Sequence, residues 1–439
     1  MTARPVPVLP RQDDRNGWLQ ILPPLPPATR LTGAVGADYA VVGGGFAGLS
    51  AARRLAELNP DARIALIEAG RIGNNPAGRC SGFAIDQAHN LRASDFAGAL
   101  QAECEQLALN RAGQDYLRQV VQAEDIACDW SEDGKIHAAG TARGAGQLDA
   151  YRKHLDLLNL PYTVLSARDM RETTGSNFYA TGLHTPGTIL LQPAALVAGL
   201  ARTMPGNVTI YEDSPVTATE WDQTHRLTTP DGTLSAPIVI LANNGFAKQF
   251  GLVEGIIPMG TYGSLSRALT AEEQAALGGK RHWGIIPADA FGTSVRRIGD
   301  RILIRNIYSY EGEMNPAERT RRWAARKHLK SFRNRFPMLP KVTLDFTWGG
   351  ALALSRNGAP VWGRLGERIF AACCMNGVGI ARGTIHGKLL AEEICGVTSD
   401  LGEIMRRAER PSPLPPKPLL GIGAELTFAM RRLRAGREL

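Results

Sequence analysis

Gly43, Gly45, Gly48 and Glu68 have the types and spacing that bind a dinucleotide. They fall in Gly43-Gly44-Gly45-Phe46-Ala47-Gly48, a match to G-x-G-x-x-G, followed about 20 residues on by an acid. In such a motif Gly43 permits the tight turn, Gly45 lets the backbone approach a pyrophosphate, and Gly48 lets the following helix sit close on the sheet. Helix amides then face the pyrophosphate with the positive end of the helix dipole, and the acid accepts hydrogen bonds from the adenosine ribose. The motif alone is weak evidence, because a chain with 48 glycines also contains turns that only bend. Its context carries the reading: an apolar strand Tyr39 to Val42, a helix Leu49 to Leu58, and a second apolar strand Ile64 to Ile67 ending on Glu68. FAD and NAD share this element, so it does not choose between them.

The stretch after Glu68 makes that choice. Ala69-Gly70-Arg71-Ile72-Gly73-Asn74-Asn75-Pro76-Ala77-Gly78-Arg79-Cys80-Ser81-Gly82-Phe83 is small, polar and glycine-rich, suited to a loop laid along an extended cofactor. Here the chain resembles the D-amino-acid-oxidase-like FAD-dependent oxidoreductases, the group that includes glycine oxidase, sarcosine oxidase and gamma-glutamylputrescine oxidase. A family segment similar to E-x-x-x-I-G-x-x-x-S-G-R-N-G-G carries the ribityl and flavin ends of FAD; this chain departs from it at Ala77, Cys80 and Ser81.

Two later regions extend the resemblance over most of the chain. Gly187 to Pro193 leads through a helix and a strand near Val208 to Tyr211 to Val216, whose backbone position touches the adenine in the family. Pro237 to Phe246, with Ala242 and Asn243, is similar to the family's V-V-L-A-T-N-A-Y strand and turn. Ile369 to Thr384 resembles the closing strand and glycine turn, where a helix N-terminus points at the flavin carbonyls. Read singly, each is an ordinary strand and turn; three in the family's order argue against that.

The resemblance implies an α/β fold, with a Rossmann-like FAD-binding domain and a β-sheet substrate domain inserted in two parts. It gives a Pro-rich arm at 1–35, FAD-binding segments at 36–94, 187–258 and 345–395, substrate-domain segments at 95–186 and 259–344, and a basic helical tail at 396–439. The implied FAD contacts are Gly43, Gly45, Phe46, Ala47, Gly48, Glu68, Ala69, Arg71, Ala77, Gly78, Arg79, Cys80, Ser81, Val216, Ala242, Asn243, Asn376, Gly377, Val378, Gly379, Ile380 and Thr384. Some members hold FAD covalently through Cys or His; no position here matches such a pattern, so FAD is expected to be non-covalent. The implied reaction takes a hydride equivalent from a carbon next to nitrogen, giving an imine that hydrolyses to a carbonyl compound and a smaller amine. O2 or an electron carrier takes the electrons. Some family oxidases place a lysine near the flavin for O2; the matching strand here has Leu303 with Arg305 nearby.

Charges that would face the substrate follow from the residues. A buried guanidinium needs an anionic partner, and Arg305, Arg356 and Arg79 lie among apolar strand residues or beside cofactor loops. For Arg305 a substrate carboxylate and an internal salt bridge are both open readings. No general base is assigned, and His89, His137, His184, His282 and His386 read as structural or surface residues. A dehydrogenase serving a membrane carrier, and a non-catalytic FAD- or RNA-associated protein, are the competing functions.

Composition sets the outer limits. The 439 residues, 44% hydrophobic and 21% charged, suit a globular protein of two or three domains. No apolar run is long enough to span a bilayer and the N-terminal stretch has no apolar signal core, so a cytoplasmic location is expected. The six cysteines form no C-x-x-C and have no histidine clusters beside them, which predicts free, mostly buried thiols and no metal. The net charge of +8 raises nucleic acid as a partner, but no accompanying motif supports it. Leu420 to Leu433 is amphipathic and arginine-bearing; packing on this protein or a second subunit is expected over a membrane-surface role. Helical periodicity predicts helix from Phe96 to Arg118 and, more loosely, across Asp95 to Leu165; strands are predicted at Gly292 to Ile298 and Ile302 to Tyr308, and a helix at Pro316 to Phe332.

Overall fold

The computed structural model describes residues 3–87 and 100–439. Its first sheet has six strands in the order Val208–Tyr211, Ile64–Ile67, Tyr39–Val42, Ile238–Leu241, Ile369–Cys373, Val361–Gly366; all neighbours are parallel except the last pair. The strands read as continuous apolar runs because both faces are covered. Val41, Leu66 and Ile240 turn toward helices Phe46–Leu58, Pro193–Arg202 and Gly379–Ile394. Ala40, Val42, Ala65, Val239 and Leu241 turn the other way, onto a five-stranded sheet that contributes Leu227 and Leu234.

The second large sheet has eight strands, in the order Leu344–Leu354, Ile257–Ser266, Arg301–Tyr310, Ser294–Ile298, His282–Pro287, Lys135–Ala139, Thr181–Thr185, Thr163–Ser166. Helix Glu318–Arg335 covers one face, where Phe332 and Phe336 pack on Val295, Ile302 and Ile304. The predicted strands fall at Ser294–Ile298 and Arg301–Tyr310, joined through Gly299, whose φ of 59° suits the tight turn. The helical reading of Asp95 to Leu165 is corrected. Helices occupy Leu100–Ala123 and Ala142–Leu157, but Lys135–Ala139 is a buried strand between two others, and Thr163–Ser166 forms the sheet edge. Lys-Ile-His-Ala-Ala has little β-propensity, so its place in the sheet comes from its neighbours. His89, Phe96 and the start of the predicted helix lie outside the described residues.

Both terminal segments wrap the body. Arg4–Pro5 and Gly33–Gly36 add the outer strands to the five-stranded sheet, and Trp18, fully buried between them in sequence, meets Trp348 edge-on at 6.5 Å. The Trp18 indole N–H donates to the Cys80 carbonyl at 2.8 Å. Helix Lys417–Ala435 lies on the strand Arg301–Tyr310, with Phe428 buried beside Phe291. Replacing Trp18 with Ala should cost about 3–5 kcal/mol of stability, the range for removing a buried aromatic. Denaturant unfolding checks this; a loss under about 1 kcal/mol would show that the arm is merely laid on the surface.

Candidate functional site

A cavity of about 1000 Å³ runs between the carboxyl ends of the parallel strands and the uncovered face of the eight-stranded sheet. Lining it are Gly43, Gly45, Phe46, Ala47, Glu68, Ala69, Ala77, Arg79, Cys80, Ser81, Val216, Ala242, Asn243, Asn376, Gly377, Val378, Gly379 and Ile380. The other expected contacts have structural surroundings. A Cβ on Gly48 would stand 1.8 Å from the Gly43 carbonyl oxygen, and one on Gly78 would stand 2.0 Å from the Gly73 oxygen. Arg71 pairs with Glu212 at 3.3 Å, and the Thr384 hydroxyl donates to the Ile380 carbonyl at 2.8 Å.

The glycines of the first turn separate by what each needs. Gly43 has a φ of 112°, and a Cβ there would crowd the Ala242 oxygen at 2.8 Å. Gly45 differs: a Cβ would meet only the Ala77 Cβ, at 3.6 Å, an ordinary contact. The protein's own packing leaves room at 45, so the backbone there is open toward the cavity. No side chain caps the helix that begins at Phe46, nor the one that begins at Gly379, and both open onto the cavity. Their first-turn amides therefore lack partners that an anionic or carbonyl group would supply. Asn243 Oδ1 and Thr261 Oγ1, both on the lining, are buried and have no hydrogen-bond partner among the described residues.

Glu68 is buried, and burial pushes its carboxyl above the ordinary value. N–H groups of Gly44, Gly70, Asn75 and Ala69 oppose that rise. Oε2 accepts from the Gly44 amide at 2.8 Å and Asn75 Nδ2 at 3.3 Å, and Oε1 accepts from the Gly70 amide at 3.2 Å. The carboxylate thus holds the glycine turn against the loop that follows the second strand.

At the opposite wall stands Arg305. Its strand carries a bulge: Thr261 pairs with Tyr308 and Tyr262 with Asn306, which leaves Ile307 unpaired at a φ of 63°. The extra residue shifts the alternation, so Arg305 and Tyr308 share one face and both line the cavity. The guanidinium lies 4.7 Å from the Tyr308 ring centre and donates to the Tyr308 hydroxyl at 2.6 Å. Among the described residues it forms no ion pair, so the internal salt bridge left open by the sequence is absent there. Tyr308 continues into Phe291 at 5.1 Å and Phe428 at 6.0 Å from it, with Arg431 5.5 Å from the Phe291 ring.

The other two arginine candidates have different surroundings. Arg79 donates from Nε to the Asn74 carbonyl at 2.7 Å and from Nη1 to the Gly349 carbonyl at 3.1 Å, and its Nη2 pairs with Asp13 at 2.8 Å. Its guanidinium is a strut between loop, sheet and N-terminal arm. Arg356 is exposed in the turn after Leu354 and lies off the cavity lining. Leu303 is buried against Trp18 and Trp348.

A family model described as FAD dependent oxidoreductase, DAO, matches residues 38–393. The chain belongs to that family. It is 25% identical over 405 residues to a probable oxidoreductase OrdL of Haemophilus influenzae, covering 88% of this chain and 87% of that protein. It is also 25% identical over 387 residues to gamma-glutamylputrescine oxidoreductase of Escherichia coli, covering 84% and 86%. The crystal structure of glycine oxidase from Geobacillus kaustophilus matches the fold with a TM-score of 0.70 at 20% identity, over 83% of this chain and 96% of that one.

FAD is therefore the cofactor, and the residues present fit it. The open side of Gly45 and the uncapped Phe46 helix would take the pyrophosphate, Glu68 the ribose, and the Gly379 helix the flavin carbonyls. The sequence did not single out Thr261, Tyr308, Phe291, Phe428, Arg431 or the buried His137 as lining residues. His184 binds the Asp133 carbonyl at 2.6 Å, His282 is exposed, and His386 is buried. The cysteines are free, but only Cys128, Cys373 and Cys374 are buried; Cys104 is exposed and Cys80 and Cys395 are half-buried. Among the described residues no helix is long and apolar enough to cross a membrane, and no cluster suits a metal ion.

Two outcomes follow. Gly45→Val should fold yet retain little FAD, measured as flavin released by heat, whereas Gly48→Val should fail to fold because its Cβ meets backbone. Full flavin in Gly45→Val would show that the pyrophosphate lies elsewhere. Glu68→Ala should weaken FAD binding about 10- to 100-fold, from loss of the equivalent of one charged hydrogen bond worth about 1.5–3 kcal/mol, without reordering the substrates oxidised. Flavin titration of the apoprotein, with rates on a substrate panel, tests both parts.

Proposed function

We propose that the protein is an FAD-dependent oxidase of a small anionic amine or N-substituted amino acid, of the sarcosine or iminodiacetate kind. One observation carries the reading: Arg305 presents a guanidinium to the cavity with no carboxylate partner among the described residues. A cation partly removed from water is stabilised by an anion, and a carboxylate can take two parallel N–H bonds from it. The names of the similar proteins, glycine oxidase and gamma-glutamylputrescine oxidoreductase, fit a substrate that carries an amine.

The protein's own part is to bind and orient. Arg305 pairs with the substrate carboxylate, and the Tyr308 hydroxyl and ring fix the guanidinium. Phe291, Phe428 and Tyr308 form an apolar wall that favours a neutral amine over an ammonium ion, so no separate base is required. Bound FAD supplies the two-electron acceptor for oxidation of the C–H bond next to nitrogen. The imine product takes up water and splits into a carbonyl compound and a smaller amine. Two electrons and two protons end on O2 as H2O2.

Anaerobic mixing of the yellow holoenzyme with a panel of amines should bleach the flavin with anionic members first, and admitting O2 should release H2O2. Arg305→Leu should cost about 2–5 kcal/mol in kcat/KM for anionic amines, the range for removing one partner of a buried charge pair, and much less for neutral ones. Equal losses for both classes in a folded, flavin-replete variant would remove Arg305 as the anchor.

A further inference from the structure

Helix Lys417–Ala435 is apolar on two opposite sides. One side packs on the protein through Phe428 and Ala435, and Thr427, Phe428 and Arg431 reach the cavity lining. The other side carries Leu419, Ile422, Leu426, Met430 and Leu433, which are 64, 60, 60, 54 and 82% exposed. Spacings of three and four residues put all five on one stripe. Among the described residues only Leu100, Leu157 and Val164 are other large exposed apolar side chains. A continuous stripe of this kind on an otherwise ordinary surface marks a contact.

We propose that this stripe pairs with the same stripe of a second copy, making a two-fold dimer through antiparallel helices. The sequence spacing is symmetric about Leu426, with Ile422 and Met430 four residues away on either side and Leu419 and Leu433 seven. An antiparallel pair centred on Leu426 therefore sets Leu426 against itself, Ile422 against Met430 and Leu419 against Leu433. That is the self-complementary contact a two-fold axis requires. All five side chains are more than half exposed, so each copy offers a continuous apolar strip for the other to bury.

A lipid surface fits less well. An interfacial helix needs a basic polar face behind its apolar one, and here the helix's back is against the protein. Arg431 lies over Phe291, and Arg432 donates to the Tyr308 carbonyl at 3.1 Å and lies over Trp323, so both point inward. The cavity wall and the dimer contact are thus opposite sides of one helix, and pairing braces the wall from behind.

Analytical ultracentrifugation of the holoenzyme over a range of micromolar concentrations reads the state directly. The expected particle has twice the 47.3 kDa chain mass. Leu426→Glu, placed on the two-fold axis, should halve that mass while keeping full flavin content. Leu157→Glu, a comparably exposed position on another helix, should leave the dimer intact. A monomeric wild type at every concentration, or a dimer that survives Leu426→Glu, overturns the proposal. A monomer that sediments with anionic phosphatidylglycerol vesicles overturns it in favour of the lipid surface.

Discussion

Five consecutive backbone carbonyls, those of Gly78 to Gly82, accept hydrogen bonds from buried side chains, and the cofactor cavity depends on that arrangement. Asn16 donates to Gly78 at 3.1 Å, Trp348 to Arg79 at 2.9 Å and Trp18 to Cys80 at 2.8 Å. Arg296 Nη1 reaches the carbonyls of Ser81, Gly82 and Leu191 at 2.7–3.0 Å. The segment is a short helical turn followed by extended chain, and at its end the Gly82 carbonyl also accepts from the Leu191 amide at 3.0 Å. A buried carbonyl without a partner costs about 1–3 kcal/mol, so this loop holds its course only where such donors converge. Among the described residues Arg296 meets the demand without an ion pair. Burial pushes its guanidinium down to about 10, and the carbonyls and the rings of Trp18 and Phe83 take the place of an anion.

These donors come from the N-terminal arm and from two strands of the eight-stranded sheet, so the loop also fastens the two large sheets to each other. Arg79 adds to it by tying Asn74, Gly349 and Asp13 together from within the loop. The far end of the chain does comparable work on the other wall. Glu438 accepts from the Gly140 amide at 2.9 Å and from the Thr141 hydroxyl at 2.7 Å, while its own carbonyl accepts from the buried Arg335 at 2.7 Å. Both terminal segments therefore close the cavity, although neither belongs to the parallel sheet that forms its floor.

Much of the floor could be read from the residues. The strand, glycine turn, helix and acid from Tyr39 to Glu68 are local: three-residue spacing, apolar runs and one carboxylate define them, and each interaction joins positions close in sequence. The later segments around Ala242 and Asn376 were legible because they too are strand-and-turn units, and they line the cavity. Arg305 also stood out, as a charge within an apolar strand.

The rest was settled only by tertiary contact. Arg79, Arg305 and Arg356 looked alike as arginines near cofactor loops or apolar strands. The fold gave the first an aspartate and two carbonyls, left the second facing the cavity, and put the third in solvent. The bulge at Ile307, which aims Arg305 and Tyr308 the same way, has no signature in Arg-Ile-Leu-Ile-Arg-Asn-Ile-Tyr, because it arises from pairing with Thr261 and Tyr262. Lys135–Ala139 became a strand through neighbours far away in sequence. Sequence determined the dinucleotide turn because its geometry is made by adjacent residues. Tertiary structure decided which arginine faces the cavity without an ion-pair partner among the described residues, because an arginine's surroundings depend on the partners that distant segments bring to it.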